Sequence, residues 1–141
     1  MPESSASPRL RVLVADDNKD AADTLGQLVT AWGHEVQVAY DGLVALQAAQ
    51  KVPPDVALVD LGLPSLDGYQ VALRLREQAG TRRLLLIAIT GFDWKGAQRR
   101  SEEYGFDYHL VKPIEPEELR RLLETLKTGG SSNGNPMPPA S

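Results

Sequence analysis

The chain has 141 residues, room for one domain of common size and little for a second. Hydrophobic residues make up 42% and charged residues 24%, the balance of a globular protein rather than a disordered one. Lys plus Arg total 15 against 19 Asp plus Glu, a formal charge of -4, which leaves no basic footprint for direct nucleic-acid binding. With no Cys, disulfides, Cys-ligated zinc and a thiol nucleophile are excluded. The longest apolar run, Leu84 to Ile89, is far short of a membrane span, and no apolar signal region opens the chain. The expected setting is cytoplasmic, with no membrane partner.

Residues Met1 to Pro8 are rich in Ser, Pro and Ala, and Thr128 to Ser141 reads TGGSSNGNPMPPAS. Both ends read as flexible tails (1–8 and 128–141) around a folded part of 9–127. Leu10 to Ala15 is the first strand candidate. Ala22, Leu25, Leu28, Val29 and Trp32 then fall on one helical stripe that Gly33 terminates. Glu35 to Ala39 alternates as a half-buried strand, and Asp41-Gly42 turns into an Ala-rich helix ending before Pro53-Pro54. Val56 to Val59 is a third apolar run, ending at Asp60. After a loop punctuated by Pro64 and Asp67-Gly68, a helix turns Val71, Ala72, Leu75 and Ala79 inward. Leu84 to Ile89 reads as a central parallel strand covered on both faces. Trp94 to Tyr104 is the least apolar helix candidate, Phe106 to Val111 a last strand, and Leu119, Leu122, Leu123 and Leu126 stripe the final helix. Five β-α repeats predict an α/β, doubly wound, five-stranded parallel sheet with helices on both faces.

In such sheets chemistry lies beyond the carboxyl ends of the strands. Those positions hold Asp16-Asp17, Asp60, Thr90 and Lys112. Two unit charges about 4 Å apart interact with about 4 kcal/mol at an effective dielectric near 20, so packing acids together is costly. Something must offset that repulsion. Hard oxygen ligands suit Mg²⁺ or another divalent cation, and Lys112 supplies a further positive charge. A carboxylate beside a divalent ion, a hydroxyl and an ammonium describes a phosphoryl acceptor.

With these residues in order, the chain closely resembles the receiver domain of two-component response regulators. The likeness rests on VLVADD (Val12 to Asp17), ALVDLGLPSLDGY (Ala57 to Tyr69), IAIT (Ile87 to Thr90) and LVKP (Leu110 to Pro113), and covers nearly all of Arg9 to Lys127. It implies a flavodoxin-like fold and a phosphoryl group carried by Asp60. It also implies a metal site made by Asp16, Asp17, Asp60 and the Gly62 backbone carbonyl, with Asp16 acting largely through water. Thr90 is the implied hydroxyl that follows the phosphoryl group, Lys112 its ammonium partner, and Lys112-Pro113 a cis bond. The family usually places an aromatic three residues before the Lys; here His109 stands there, paired with Thr90 as the implied switch, and its imidazole changes charge near neutral pH. Gly62 and Phe92 occupy places that influence attack of water on the acyl phosphate.

Plainer readings stand beside these. Asp16-Asp17 could cap the first helix. Thr90 and Lys112 taken singly are a strand-end hydroxyl and a surface charge. His34 reads as a surface histidine, Trp32 as a core or core-edge residue, and Trp94 as an anchor or partner contact. The resulting expectation is a switch rather than a metabolic enzyme. It takes a phosphoryl group from a histidine kinase or histidine phosphotransfer protein and acts on a downstream protein target. The wording LGLP, ITG and HLVKP also resembles receivers attached to hybrid histidine kinases, so a stand-alone regulator and an excised hybrid-kinase piece are both open. A receiver-like adaptor that never uses phosphate is the alternative. A dehalogenase-like phosphatase lacks its D-x-D spacing at Asp16-Asp17-Asn18, and a flavin or dinucleotide site lacks a Gly- or Thr-rich phosphate loop.

Overall fold

A computed structural model describes residues 10–63, 68–91 and 105–127. Five short strands form one sheet: β1 (Arg11–Ala15), β2 (Glu35–Ala39), β3 (Val56–Asp60), β4 (Leu85–Thr90) and β5 (Tyr108–Val111). Four helices are described: α1 (Lys19–Ala31), α2 (Gly42–Lys51), α3 (Gly68–Ala79) and α4 (Pro116–Lys127). The tails, Phe92 and the helix expected from Trp94 to Tyr104 lie outside the described residues. The strand order is β2-β1-β3-β4-β5, and every pairing is parallel. The chain leaves β1 in one direction to form β2 and returns to the other side of β1 to form β3. The carboxyl ends of β1 and β3 therefore border the crevice where ligands bind in open α/β sheets.

Side chains alternate between the two faces of each strand, and two hydrophobic clusters follow from that. Val12, Val14, Val56, Leu58, Ile87, Ile89 and Leu110 pack under Ala22, Leu25 and Val29 of α1 and Leu119 and Leu123 of α4. Leu13, Ala15, Ala57, Val59, Leu86 and Ala88 face Ala45, Leu46 and Ala49 of α2 and Val71, Ala72 and Leu75 of α3. All five residues of β3 are buried, as a strand covered on both faces requires. Register is correspondingly firm, since a one-residue slip would turn each cluster inside out.

Boundaries move slightly from expectation. Arg11 rather than Leu10 opens β1, and β4 shifts one residue onward to include Thr90. Phe106 does not belong to β5; it is buried edge-on against Tyr69, ring centroids 6.3 Å apart, and Asp107 instead exchanges bonds with Leu86. Ala79 is only partly buried. Gly33, at φ 101, adopts the left-handed turn that ends α1, and Trp32 packs at the edge of the first cluster under the Arg120 guanidinium.

One expectation needs correction, and one of the plainer readings falls away. His34 is not a surface histidine: it is 6% exposed, and its Nδ1 accepts the Leu10 N–H at 3.2 Å. The turn at Gly33 tucks the ring under the start of β1, where it satisfies a backbone donor that the sheet leaves over. Nor do the two acids cap α1. Asn18 is the N-cap, its side-chain oxygen accepting the Ala21 N–H at 3.0 Å, which leaves Asp16 and Asp17 to other work. Asn18→Ala is expected to cost about 1 kcal/mol in urea unfolding, whereas Asp17→Asn costs less than half of that if the capping assignment is right.

Candidate functional site

Strand register brings the polar residues level. Ala15 pairs with Val59 and Asp60 with Ile89, so Asp16 and Asp60 emerge side by side from β1 and β3. Asp16 extends the ladder one step beyond β1 by donating its N–H to the Ala39 carbonyl at 3.1 Å. On the far side, Thr90 pairs with Val111, and the Lys112 N–H donates to the Thr90 carbonyl at 2.8 Å. The Lys112-Pro113 bond is cis, as the resemblance implies.

The Asp60 carboxylate is held by two donors. Its Oδ1 accepts the Gly62 N–H at 2.9 Å, and its Oδ2 accepts from Lys112 Nζ at 3.2 Å. Asp16 Oδ1 accepts the Asn18 N–H at 3.0 Å, and Asp16 Oδ2 lies 3.6 Å from Lys112 Nζ. Asp16, Asp17 and Asp60 each present a carboxylate oxygen within 4.8 Å of the others. Asp16 and Asp60 are buried, while Asp17 is exposed. Lys112 thus sits between two acids as a shared counter-charge.

That arrangement is electrostatically unfinished. Burial pushes the Asp16 carboxyl above its usual range, and the neighbouring Asp60 adds to the rise; the Asn18 N–H and Lys112 act against it. Burial alone would lower the Lys112 ammonium, but its contacts with Asp60 and Asp16 outweigh that and raise it. Asp16 Oδ2 is buried and has no hydrogen-bond partner among the described residues. A buried acceptor left in that state costs about 1–3 kcal/mol. The hard oxygens that Asp16, Asp17 and Asp60 bring together, with Asp17 exposed, fit a small divalent cation that keeps some of its waters.

Thr90 is 5% exposed at the end of β4. Its place in the alternation puts it on the sheet face of Ala88, towards α2 and α3. His109 pairs with Ala88 in register and is half-buried, so it shares that face and lies diagonally behind Thr90. Gly62 reaches the Asp60 carboxylate through its N–H, a contact that the sequence pattern does not announce. A methyl group at position 62 would lie 3.6 Å from Asp60 Oδ1, so this position borders the carboxylate directly. Asn18 was also missed, although an Asn just ahead of an amphipathic stripe is a capping signal.

The response regulator receiver domain profile matches residues 12–124, and the chain belongs to that family. Its place is therefore in two-component signalling. It is 32% identical over 117 residues to the polar-differentiation response regulator DivK of Brucella ovis, covering 83% of this chain and 93% of that one. It is 37% identical over 110 residues to a gliding motility regulatory protein of Myxococcus xanthus, covering 78% of this chain. It spans only 14% of that relative's length, and 23% of the response regulator PleD of Caulobacter vibrioides, to which it is 35% identical. Among solved structures, a putative response regulator from Chloroflexus aurantiacus superposes with a TM-score of 0.78 at 30% identity, covering 86% of this chain and all of that one (100%). The receiver domain of a Pseudomonas aeruginosa sensor histidine kinase superposes with a TM-score of 0.76 at 28% identity, with coverage of 86% and 100%. Its structure holds a magnesium ion coordinated in the active-site cleft. Among the described residues, no helix is long and apolar enough to cross a membrane.

Because the Asp16 carboxyl is raised in the folded chain, the folded state holds a proton over a pH range in which the unfolded state has lost it. Stability of the metal-free protein therefore falls as pH climbs from Asp16's unfolded value, near 3.8, through its higher folded one. With a chelator present, Asp16→Asn is expected to melt above wild type at pH 7, each kcal/mol of relief raising the midpoint by about 4 °C. The gap should close as pH approaches 4. A constant gap across that range in thermal melts would mean that Asp16 carries no buried-charge penalty.

Proposed function

We propose that Asp60 is the phosphoacceptor of a signalling receiver and takes its phosphoryl group from a phosphohistidine on a histidine kinase or histidine phosphotransfer protein. The observation that carries this reading is the Asp60 carboxylate itself: buried, gripped by the Gly62 N–H and Lys112 Nζ, and joined by two more acids within 4.8 Å. A nucleophilic carboxylate needs its negative charge partly balanced until the phosphoryl group arrives, and the contacts with Gly62 and Lys112 supply that balance. In the transfer, the bond from the donor imidazole nitrogen to phosphorus breaks as the Asp60 oxygen–phosphorus bond forms.

Asp16, Asp17, Asp60 and the Gly62 carbonyl would hold Mg²⁺ or another divalent cation, and the Mg²⁺-bound Pseudomonas receiver supports that choice. When bound, the ion screens negative charge on the incoming phosphoryl oxygens. Lys112 Nζ leaves its contact with Asp60 Oδ2 to pair with a phosphoryl oxygen, while its backbone tie to Thr90 keeps it at the site. The Thr90 hydroxyl donates to another phosphoryl oxygen. Phosphorylation replaces one negative charge by about two and adds strong acceptors, which is enough to reorient a strand-end hydroxyl. Thr90 and His109 lie on the same sheet face, so a movement of Thr90 is passed to the imidazole behind it. A downstream protein then reads that surface.

The same chemistry serves a stand-alone cytoplasmic regulator and a receiver within a hybrid kinase. The product is a switched state of the chain itself, with hydrolysis of the acyl phosphate as its reset. The adaptor reading has no observation in its favour, since an adaptor has no need for a buried acidic cluster.

Mass spectrometry after treatment with Mg²⁺ and acetyl phosphate should find one phosphoryl group on wild type and none on Asp60→Asn. Chelating the divalent ion should abolish the reaction. Lys112→Ala should slow it by about 100-fold, the usual loss when a charge-stabilising donor is removed. Phosphate on the Asp60→Asn chain would displace Asp60 as the acceptor.

A further inference from the structure

Helix α3 begins against the backbone of the acceptor residue. Gly68, its first residue, is buried, and its N–H points to the Leu61 carbonyl at 3.4 Å. A Cβ built at position 68 would lie 2.5 Å from the Asp60 carbonyl oxygen, 2.7 Å from Leu61 Cα and 3.1 Å from the Asp60 carbonyl carbon. All three are main-chain atoms, so no flexible side chain can swing aside. The absent side chain lets helix and strand backbones meet here, one of the specific uses of glycine.

The atoms in contact matter more than the closeness. The Asp60 carbonyl and Leu61 Cα form the short path from the acceptor residue to the Gly62 N–H that grips its Oδ1. Displacing them rotates the Asp60 peptide and shifts the carboxylate against both Gly62 N–H and Lys112 Nζ. On this geometry we propose that Gly68 is a positioning residue for Asp60: its bare α-carbon docks α3 against the acceptor's peptide and sets the aim of the carboxylate. The effect on phosphoryl transfer rests on Asp60 being the acceptor; the effect on cation binding does not. A side chain at position 68 therefore impairs the site out of proportion to its effect on stability, because misplacing reacting groups by about 1 Å can cost 100-fold in rate.

The test compares Gly68→Ala with Gly26→Ala. Position 26 is also crowded, though less severely: a Cβ there would lie 2.9 Å from Val38 Cγ2, a side chain between α1 and β2 and away from Asp60. For each protein, thermal melting, Mg²⁺ affinity by calorimetry and phosphorylation by acetyl phosphate are measured at a temperature where all are folded. Gly68→Ala should weaken Mg²⁺ binding and slow phosphorylation at least about tenfold, while Gly26→Ala lowers the melting temperature and leaves both within about twofold. Gly68→Ala within twofold of wild type, or equal losses in the two variants, would overturn the proposal.

Should Gly68→Ala fail to fold, the wild-type amide of Gly68 decides. In a Mg²⁺ titration followed by NMR it should shift with the same midpoint as those of Asp60 and Leu61; a stationary Gly68 signal overturns the proposal. Wild type that binds Mg²⁺ but takes no phosphate removes the acceptor role of Asp60, and Mg²⁺ affinity then judges the positioning role alone. Wild type that binds no Mg²⁺ and takes no phosphate overturns both.

Discussion

Two buried carboxylates, Asp16 and Asp60, share a single ammonium at the carboxyl end of a parallel sheet, and the rest of the molecule is organised around keeping them there. Left to themselves the acids would separate or turn outward, since like charges at this spacing repel by kilocalories in a poorly solvated place. They stay because each is anchored by main chain that cannot yield. Asp16 is tied through its N–H to Ala39 and through Oδ1 to Asn18, and Asp60 ends a strand buried along its whole length. Lys112 is held at the same level by its own N–H bond to Thr90. The fold supplies the rigidity, and the site stores an affinity for positive charge.

The two ends of the sheet show what a finished polar region looks like beside an unfinished one. At the amino-terminal ends, polar groups close structural contacts. Arg76 donates to the Leu84 and Gly105 carbonyls at 2.6 Å each and pairs with Asp107 at 3.1 Å. Asp55 accepts the Arg11 N–H, and His34 accepts that of Leu10. At the carboxyl-terminal ends, by contrast, Asp16 Oδ2 is buried without a hydrogen bond among the described residues, and three acidic oxygens converge. Buried polar atoms are normally satisfied, so an exception at the end where α/β proteins bind ligands marks work for an incoming group.

Packing differs between the two faces of the sheet. The α1–α4 side is lined by Val, Leu and Ile from β1, β3 and β4. The other side mixes Leu13, Val59 and Leu86 with Ala15, Ala57 and Ala88 on the strands, and Thr90 and His109 share that side near its edge. Small strand residues leave the shape of that layer to α2, α3 and the side chains beside β5.

The sequence by itself determined the layout, because hydrophobic periodicity is a local property: short apolar runs, a 3.6-residue stripe after each, and Gly or Pro at the breaks define five strands and their helices. It also exposed Asp16, Asp17, Asp60, Thr90 and Lys112, since a polar residue closing an apolar strand stands out against its neighbours. What it could not express were relations between distant segments. That Asn18 rather than an acid caps α1, that His34 is buried under Leu10, that Phe106 packs on Tyr69 outside β5, and that Gly68 touches the Asp60 backbone all depend on where one segment lands on another. Those outcomes were decided by tertiary packing, because burial, shared counter-charge and steric contact exist only once the chain has closed on itself.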